Sequence, residues 1–177
     1  ELDYVQAVRR YRDAISAAPD RAEPHLHLAI AFAGLKQFDS AVKELKVGLA
    51  LDPAWATSGV TLDGLLGSDN LIGKMQLKQR VAEWALADVR DPDRLFLLGA
   101  LLYLDADSHR GRTILETAAR LGGLHDYLAV FLRAGSPAAN IGIPPVVSEP
   151  GLAEAEVDAN PALPELPPLP ALPPSPA

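Results

Sequence analysis

The sequence contains no cysteine and a single methionine. The absence of cysteine excludes disulfide bonds, thiolate chemistry and zinc sites with cysteine ligands. Aromatic residues are also scarce, at 6% of the chain, although 49% of the residues are hydrophobic. Alanine and leucine therefore supply most of the apolar side chains, and this composition favours packed helices over sheets.

Two further absences limit the function. Lysine and arginine are outnumbered by aspartate and glutamate, 16 to 23, so the chain lacks the basic excess of a nucleic-acid-binding protein. No apolar run reaches about 18 residues, the length that indicates a membrane-spanning helix. We therefore expect neither a nucleic-acid partner nor a membrane span. Because the chain starts with Glu1, we expect it to begin after a cleaved segment or inside a longer product.

Proline and charge divide the sequence into two regions. Residues 136–177 contain 12 of the 16 prolines and no lysine or arginine. We therefore predict a nearly neutral body, residues 1–135, followed by an acidic, proline-rich extended tail, residues 136–177. The five acidic residues of the tail are Glu149, Glu154, Glu156, Asp158 and Glu165.

The body contains an internal repeat. Turns that combine proline with aspartate recur along it at nearly regular intervals. Between these turns lie segments with the apolar spacing of α-helices. The prolines of these turns are 34 and 39 residues apart, and a repeat of this length is typical of solenoids, in which each unit packs against its neighbours. The turns are Pro19-Asp20, Asp52-Pro53 and Asp91-Pro92.

The clearest unit spans residues 22–53, AEPHLHLAIAFAGLKQFDSAVKELKVGLALDP. Its apolar positions predict two helices joined by a turn at Gly34 to Lys36. Small residues at three positions would let the two helices approach closely, and large residues would fill the space between them. The small residues are Ala29, Ala41 and Gly48, and the large ones are Leu28, Phe32 and Leu45.

This order of small and large residues, with its closing proline, resembles the tetratricopeptide repeat (TPR), although His25 replaces the tryptophan of the first helix. Residues 4–19 repeat the second half of this unit, and every matching position is 34 residues earlier in the sequence. The first helix of this earlier repeat is missing from the sequence. The resemblance implies a solenoid of helical hairpins that binds other proteins and has no catalytic activity. The matching residues are Tyr4, Ala7, Tyr11, Ala14 and Pro19.

Downstream the resemblance is weaker. Residues 93–123 fit a third helix pair, and residues 124–135 predict a last helix. Residues 56–90 fit a degenerate pair. In that pair we predict a short helix near residues 61–66 and a long one from about residue 71 to residue 89. The predicted fold is an all-α, TPR-like solenoid of about three and a half helix pairs with an extended tail.

Possible catalytic and ligand-binding residues are few. Residues 67–75, GSDNLIGKM, resemble a phosphate-binding loop, but the spacing is wrong by one residue and Met75 stands where a magnesium-binding Ser or Thr is needed. His25 and His27 are two residues apart on a helix, so they point to different faces and cannot chelate together. We therefore predict no catalytic residue, no metal and no cofactor. All four histidines, His25, His27, His109 and His125, are expected to be partly exposed.

Two other groups of residues each allow two interpretations. Trp55 and Trp84 either pack in the core, which we favour, or line a ligand groove. The helix face that carries Arg9, Arg10 and Arg12 is either solvated, which we favour, or binds the acidic tail. The second interpretation of each group is a binding surface.

Within the tail, the segment LPELPPLPALPP, residues 163–174, places a leucine at every third position. Polyproline II has about three residues per turn, so these leucines would lie on one edge of such a helix. A spacer would gain nothing from this register, and we predict that the leucines dock into a helical groove. The groove lies on a neighbouring subunit, which we favour, or on the same chain. The leucines are Leu163, Leu166, Leu169 and Leu172.

The N-terminal helix supports the same hypothesis. An unpaired helix at residues 4–17 would expose an apolar face at the end of the solenoid, with Tyr4 and Tyr11 as candidate interaction residues. Another copy could cover this face, and head-to-tail contacts that do not close give a filament. We expect a structural protein that assembles with itself, as a surface or extracellular fibre. The alternative is an adaptor that binds a partner's peptide in its concave groove.

Overall fold

The computed structural model describes residues 3–134, and within this range the chain consists of helices and turns without a strand. The predicted all-α class is confirmed. The four leucines of the tail lie outside the described residues. The helices are α1 (Tyr4–Ala17), α2 (Ala22–Gly34), α3 (Phe38–Leu51), the 3₁₀-helix η1 (Pro53–Thr57), α4 (Leu62–Leu66), α5 (Leu71–Ala87), α6 (Pro92–Leu104), α7 (Ser108–Gly122) and α8 (Asp126–Ala134).

Short polar side chains begin most of these helices. Asp3 Oδ1 accepts a hydrogen bond from the amide of Gln6 at 2.9 Å, and Asn70 caps α5 in the same way. Asp91 caps α6, with Pro92 in the first turn, where no amide donor is required. Such a cap typically contributes about 0.5–2 kcal/mol. The aspartate-proline turn at this position of the sequence is therefore a helix start signal.

The hairpins α2–α3 and α6–α7 share one turn geometry. Lys36 (φ 60°) in the first hairpin and Ala106 (φ 62°) in the second both adopt the left-handed conformation that residues other than glycine rarely adopt. In both turns the next residue donates its amide hydrogen to the carbonyl oxygen five residues earlier, at 2.9 and 3.2 Å. The predicted turn at residues 34–36 is confirmed, and the second hairpin repeats it.

Small residues allow the helices of each hairpin to approach closely. A Cβ atom on Gly48 would lie 2.5 Å from the Leu26 side chain, and one on Gly111 would lie 2.6 Å from the backbone nitrogen of Tyr103. Ala41, which corresponds to Gly111 in the first hairpin, has no exposed surface. The predicted close approach at Ala41 and Gly48 is confirmed.

Helix α1 packs antiparallel on α2. The ring of Tyr4 lies where a Cβ atom on Gly34 would be, 2.5 Å away, and the ring of Tyr11 meets that of His27 edge-on at 5.2 Å. Nine of the 13 residues of α2 are buried, because α2 is covered by α1 on one side and by α3 on the other. The expectation that α1 presents an unpaired apolar face is wrong, since α2 covers most of that face.

Helix α5 connects the two hairpins through an aromatic stack. The ring of Trp84 lies against Phe38 of α3, with ring centroids 4.9 Å apart. The guanidinium of Arg94, in α6, lies 5.0 Å from the Trp84 ring centroid, and its Nη1 donates a hydrogen bond to the Trp84 carbonyl at 2.8 Å. Trp84 is half-buried in this stack and Trp55 is buried, so both tryptophans pack in the interior as predicted.

Ion pairs add a second connection. Lys74 of α5 is buried, its ammonium pairs with Asp63 of α4, and it lies 3.9 Å from Asp105 at the end of α6. Asp105 also pairs with Lys78. Because a buried charge without a partner is costly, these pairs fix the position of α5. Lys74 is the lysine of the segment 67–75 that resembles a phosphate-binding loop.

His25 does not lie partly exposed as predicted. It is only 8% exposed, and its Nδ1 is 2.7 Å from Oε2 of Glu44 on α3. The reason is its position in the helix–helix interface, at the place of the tryptophan in the resembling repeat. A polar ring buried there requires a hydrogen-bond partner, which the facing helix supplies.

The glycine contacts generate a stability prediction. Replacing Gly111→Ala forces a Cβ atom against the backbone of α6, so the variant should lose about 1–3 kcal/mol of unfolding free energy. Gly64→Ala is the matched control, because its nearest neighbour would be an ordinary 3.6 Å contact and alanine favours a helix by up to about 1 kcal/mol. Urea unfolding followed by circular dichroism measures both. Equal stability of the two variants would contradict the close packing at Gly111.

Candidate functional site

An apolar cleft lies between α1, α2 and α4. Its volume is ≈ 130 Å³, and it is open to solvent on one side. Helix α1 supplies one wall, α2 the floor and α4 the opposite wall. The residues that line it are Asp3, Tyr4, Ala7, Tyr11, His27, Ile30, Ala31, Leu65 and Leu66.

The α1 wall follows from helix geometry. Tyr4, Ala7 and Tyr11 are spaced by three and four residues, so they form one stripe along the helix. The small side chain of Ala7 lies between the two tyrosines and leaves a notch in the wall. The structure therefore brings the two predicted interaction residues, Tyr4 and Tyr11, into one site, and both are half-buried.

Burial favours the neutral forms of two polar groups of the cleft, the Tyr4 hydroxyl and the His27 imidazole. Burial raises the pKa of the Tyr4 hydroxyl, and the nearby charge of Arg80 opposes this shift. Burial lowers the pKa of His27, and Glu23 opposes that shift. A neutral phenol and a neutral imidazole can bond to the backbone of a bound chain, while the apolar side chains around them bury its apolar residues.

Arginine side chains lie near the residues that line the cleft. Arg80 of α5 donates a hydrogen bond from Nη1 to the carbonyl of Gly34 at 3.2 Å, beneath the Tyr4 ring. Arg10 follows Ala7 by three residues and so shares its side of α1. Arg9 and Arg10 are exposed, as predicted, and Arg12 is exposed as well, with its guanidinium 5.3 Å from the Phe32 ring centroid.

Sequence reasoning missed the floor and the opposite wall. The spacing of the apolar residues in α2 indicates one apolar face, so the residues of its second face and of α4 are not predicted as site residues. These residues are His27, Ile30, Leu65 and Leu66. The signal was present, since a helix that is apolar on all sides is covered on more than one side. The position of α4 over that second face had no local signal in its five residues.

The remaining histidines belong to other surroundings. His125 stacks on Tyr127 with ring centroids 5.3 Å apart, and His109 is exposed near the start of α7. Among residues 3–134, the His, Asp and Glu side chains form no group of three that could hold a metal ion. The described helices include none with the length and apolar character of a membrane span.

The half-buried imidazole of His27 predicts a pH dependence. Its pKa is lowered in the folded state, so the unfolded chain binds the proton at a higher pH. The stability associated with neutral His27 is therefore complete above the ordinary pKa of about 6.5 and is lost as the pH falls through the lowered folded value. His27→Gln should reduce this loss in urea unfolding measured above and below pH 6.5, whereas His109→Gln should not. An unchanged pH slope for His27→Gln would contradict the partial burial of the imidazole.

Comparison with known proteins agrees with the repeat architecture. Residues 2–57, which include α1, α2, α3 and η1, match the family model described as tetratricopeptide repeat. No curated protein matches the sequence. Chains of known structure match as well, and one of them, described as "Crystal structure of MamA", has 18% sequence identity and a TM-score of 0.31 over 75% of this chain and 86% of that one. The resemblance inferred over residues 4–53 is confirmed, since residues 2–57 of this chain are similar to the tetratricopeptide repeat.

Proposed function

We propose that this protein is a non-catalytic structural protein that assembles with itself into a homo-oligomer or filament. The helical repeats support the coarser statement, that the chain is a protein–protein interaction scaffold. The observation that supports self-assembly is the open apolar cleft at the N-terminal end of the body, with Tyr4 and Tyr11 in its wall. In this proposal the cleft region receives the tail of a neighbouring copy.

The size of the cleft favours a chain segment over a small molecule. Small-molecule pockets usually enclose about 300–1,000 Å³, whereas this cleft has ≈ 130 Å³ and one open side. A segment that lies across the cleft would insert one or two side chains at a time. An extended chain with apolar residues at a regular interval satisfies this requirement.

The tail has a sequence suited to this role, with a leucine at every third position of residues 163–174. Burying its four leucines would contribute about 6–12 kcal/mol before ordering costs, at about 1.5–3 kcal/mol for each leucine. Proline restricts the unbound segment to few conformations, so ordering it costs less than ordering an ordinary chain. The tail is also acidic, and Arg9, Arg10 and Arg12 are exposed on the helix that forms one wall of the cleft.

A peptide of a different protein is the alternative occupant. The cleft would accept any extended apolar segment, so an adaptor function rests on the same residues. The two functions differ in whether the purified protein associates with itself.

Self-association gives the direct test. Light scattering of the purified chain over a range of concentration should show oligomers, and deletion of residues 161–177 should abolish or strongly weaken them without loss of helix content. Changing Leu163, Leu166, Leu169 and Leu172 to serine should have the same effect. Leu71→Ser with Ile72→Ser is the control, because these side chains are 60% and 71% exposed on α5. A monomeric full chain at high concentration would contradict the proposal and leave the adaptor function.

A second prediction concerns the proposed lack of catalysis. Lys74, which would have to contact a phosphate in the segment 67–75, is buried and paired with Asp63. Isothermal titration calorimetry with zinc, magnesium-ATP and GTP should therefore give no saturable heat. Micromolar binding of any of these ligands would contradict a purely structural function.

A further inference from the structure

We infer that the α1–α2–α4 cleft binds residues 163–174 of a second copy, the Leu-Pro-x segment, as a polyproline II helix. Successive Leu-Pro-x units of this segment are in register with Tyr4 and Tyr11. This inference rests on the proposed self-association and adds the conformation of the bound tail and its register on the two tyrosines.

The spacing of the tyrosines is the first argument. Tyr4 and Tyr11 are seven residues apart on one stripe of α1, which is about 10.5 Å along the helix axis at about 1.5 Å per residue. A polyproline II helix advances about 9.3 Å in three residues, at about 3.1 Å per residue. The two repeats agree to within about 1.2 Å, so two successive Leu-Pro-x units can each meet one tyrosine.

The shape of the wall indicates which edge of the bound segment contacts the tyrosine rings and which edge contacts the apolar side chains. A proline follows each leucine, so the prolines form a second edge with the same three-residue period. Grooves lined by aromatic rings are the usual receptors of proline-rich polyproline II chains. We therefore place the prolines on the tyrosine rings and the leucines toward the notch at Ala7 and the apolar side chains of Ile30 and Leu65. The prolines of this edge are Pro164, Pro167, Pro170 and Pro173.

Both tyrosines are held in place before a ligand binds. The Tyr4 ring lies directly on the backbone at Gly34, and the Tyr11 ring packs edge-on against His27 at 5.2 Å. Side chains that are already fixed lose little conformational freedom on binding. The cleft is thus a prepared surface for an extended chain.

Charge adds a further contact. Glu165 is near the beginning of the Leu-Pro-x segment, and Arg10 is exposed on α1, three residues after Ala7. Opposite charges across an interface favour association, so we place Glu165 within reach of Arg10. Groups of both signs lie along the wall, Arg80 near Tyr4 and Glu23 near His27, so charge does not fix the direction of the segment.

The test uses a labelled synthetic peptide of residues 161–177. The receptor is the full-length chain with its own four leucines changed to serine, so that its tail does not compete. Fluorescence anisotropy should show saturable binding, and Tyr11→Ala or Leu65→Ser in the receptor should raise Kd by about tenfold or more. Leu71→Ser, on the exposed surface of α5, should leave Kd unchanged, and circular dichroism confirms that each receptor is folded.

A charge exchange tests direct contact without altering the apolar packing. Arg10→Glu in the receptor should weaken binding of the natural peptide, and a peptide with Glu165→Lys should recover affinity for that receptor. Peptide binding that is insensitive to Tyr11→Ala, Leu65→Ser and Arg10→Glu would overturn this site but leave self-association intact. A peptide that does not bind, while the full chain still forms oligomers, would overturn it as well. Absence of both peptide binding and oligomers would contradict the proposed function itself.

Discussion

The close approach of paired helices is the constraint on which the rest of the structure depends. A Cβ atom on Gly48 or Gly111 would come within 2.6 Å of the facing helix, so these glycines allow the helices of each hairpin to approach closely. Large buried residues such as Leu45 and Leu115 fill the space on either side of these contacts. A hairpin packed in this way behaves as one unit, because widening it would open cavities along its length. The second face of α2 is therefore held firmly enough to support α1 and the cleft.

Helix α5 extends this rigidity from one hairpin to the other. Its Trp84 lies between a ring from α3 and a guanidinium from α6, and its Arg80 bonds to the end of α2 beneath the Tyr4 ring. Lys46 of α3 adds a direct bridge to Asp93 of α6 at 2.6 Å. The wall of the cleft is consequently connected to both hairpins through a few specific contacts. We regard the cleft as a fixed feature of the fold rather than a gap left by loose packing.

Much of this architecture was predictable from the sequence. The apolar spacing and the turn residues indicated the helices of the repeats, and even the degenerate segment was placed within two residues of its observed helices, α4 and α5. The buried pair of His25 with Glu44 was not predictable from local spacing, because it depends on which side chain of α3 faces α2. The cleft was missed for a similar reason, since the placement of α4 across α2 is decided by tertiary packing. The repeat register indicates Tyr4 and Tyr11 as interaction residues, but on an uncovered helix face at the end of the solenoid rather than in the wall of a cleft.

The central claim is that the tail of one copy occupies the cleft of another. Photo-crosslinking tests it most directly, with a benzophenone amino acid in place of Tyr11 in an unlabelled chain mixed with an isotopically heavy chain that lacks the probe. After irradiation, mass spectrometry should identify cross-linked peptides that join α1 of the light chain to residues 161–177 of the heavy chain. Cross-links confined to the light chain would place the tail on its own body, and cross-links that never include residues 161–177 would contradict the account.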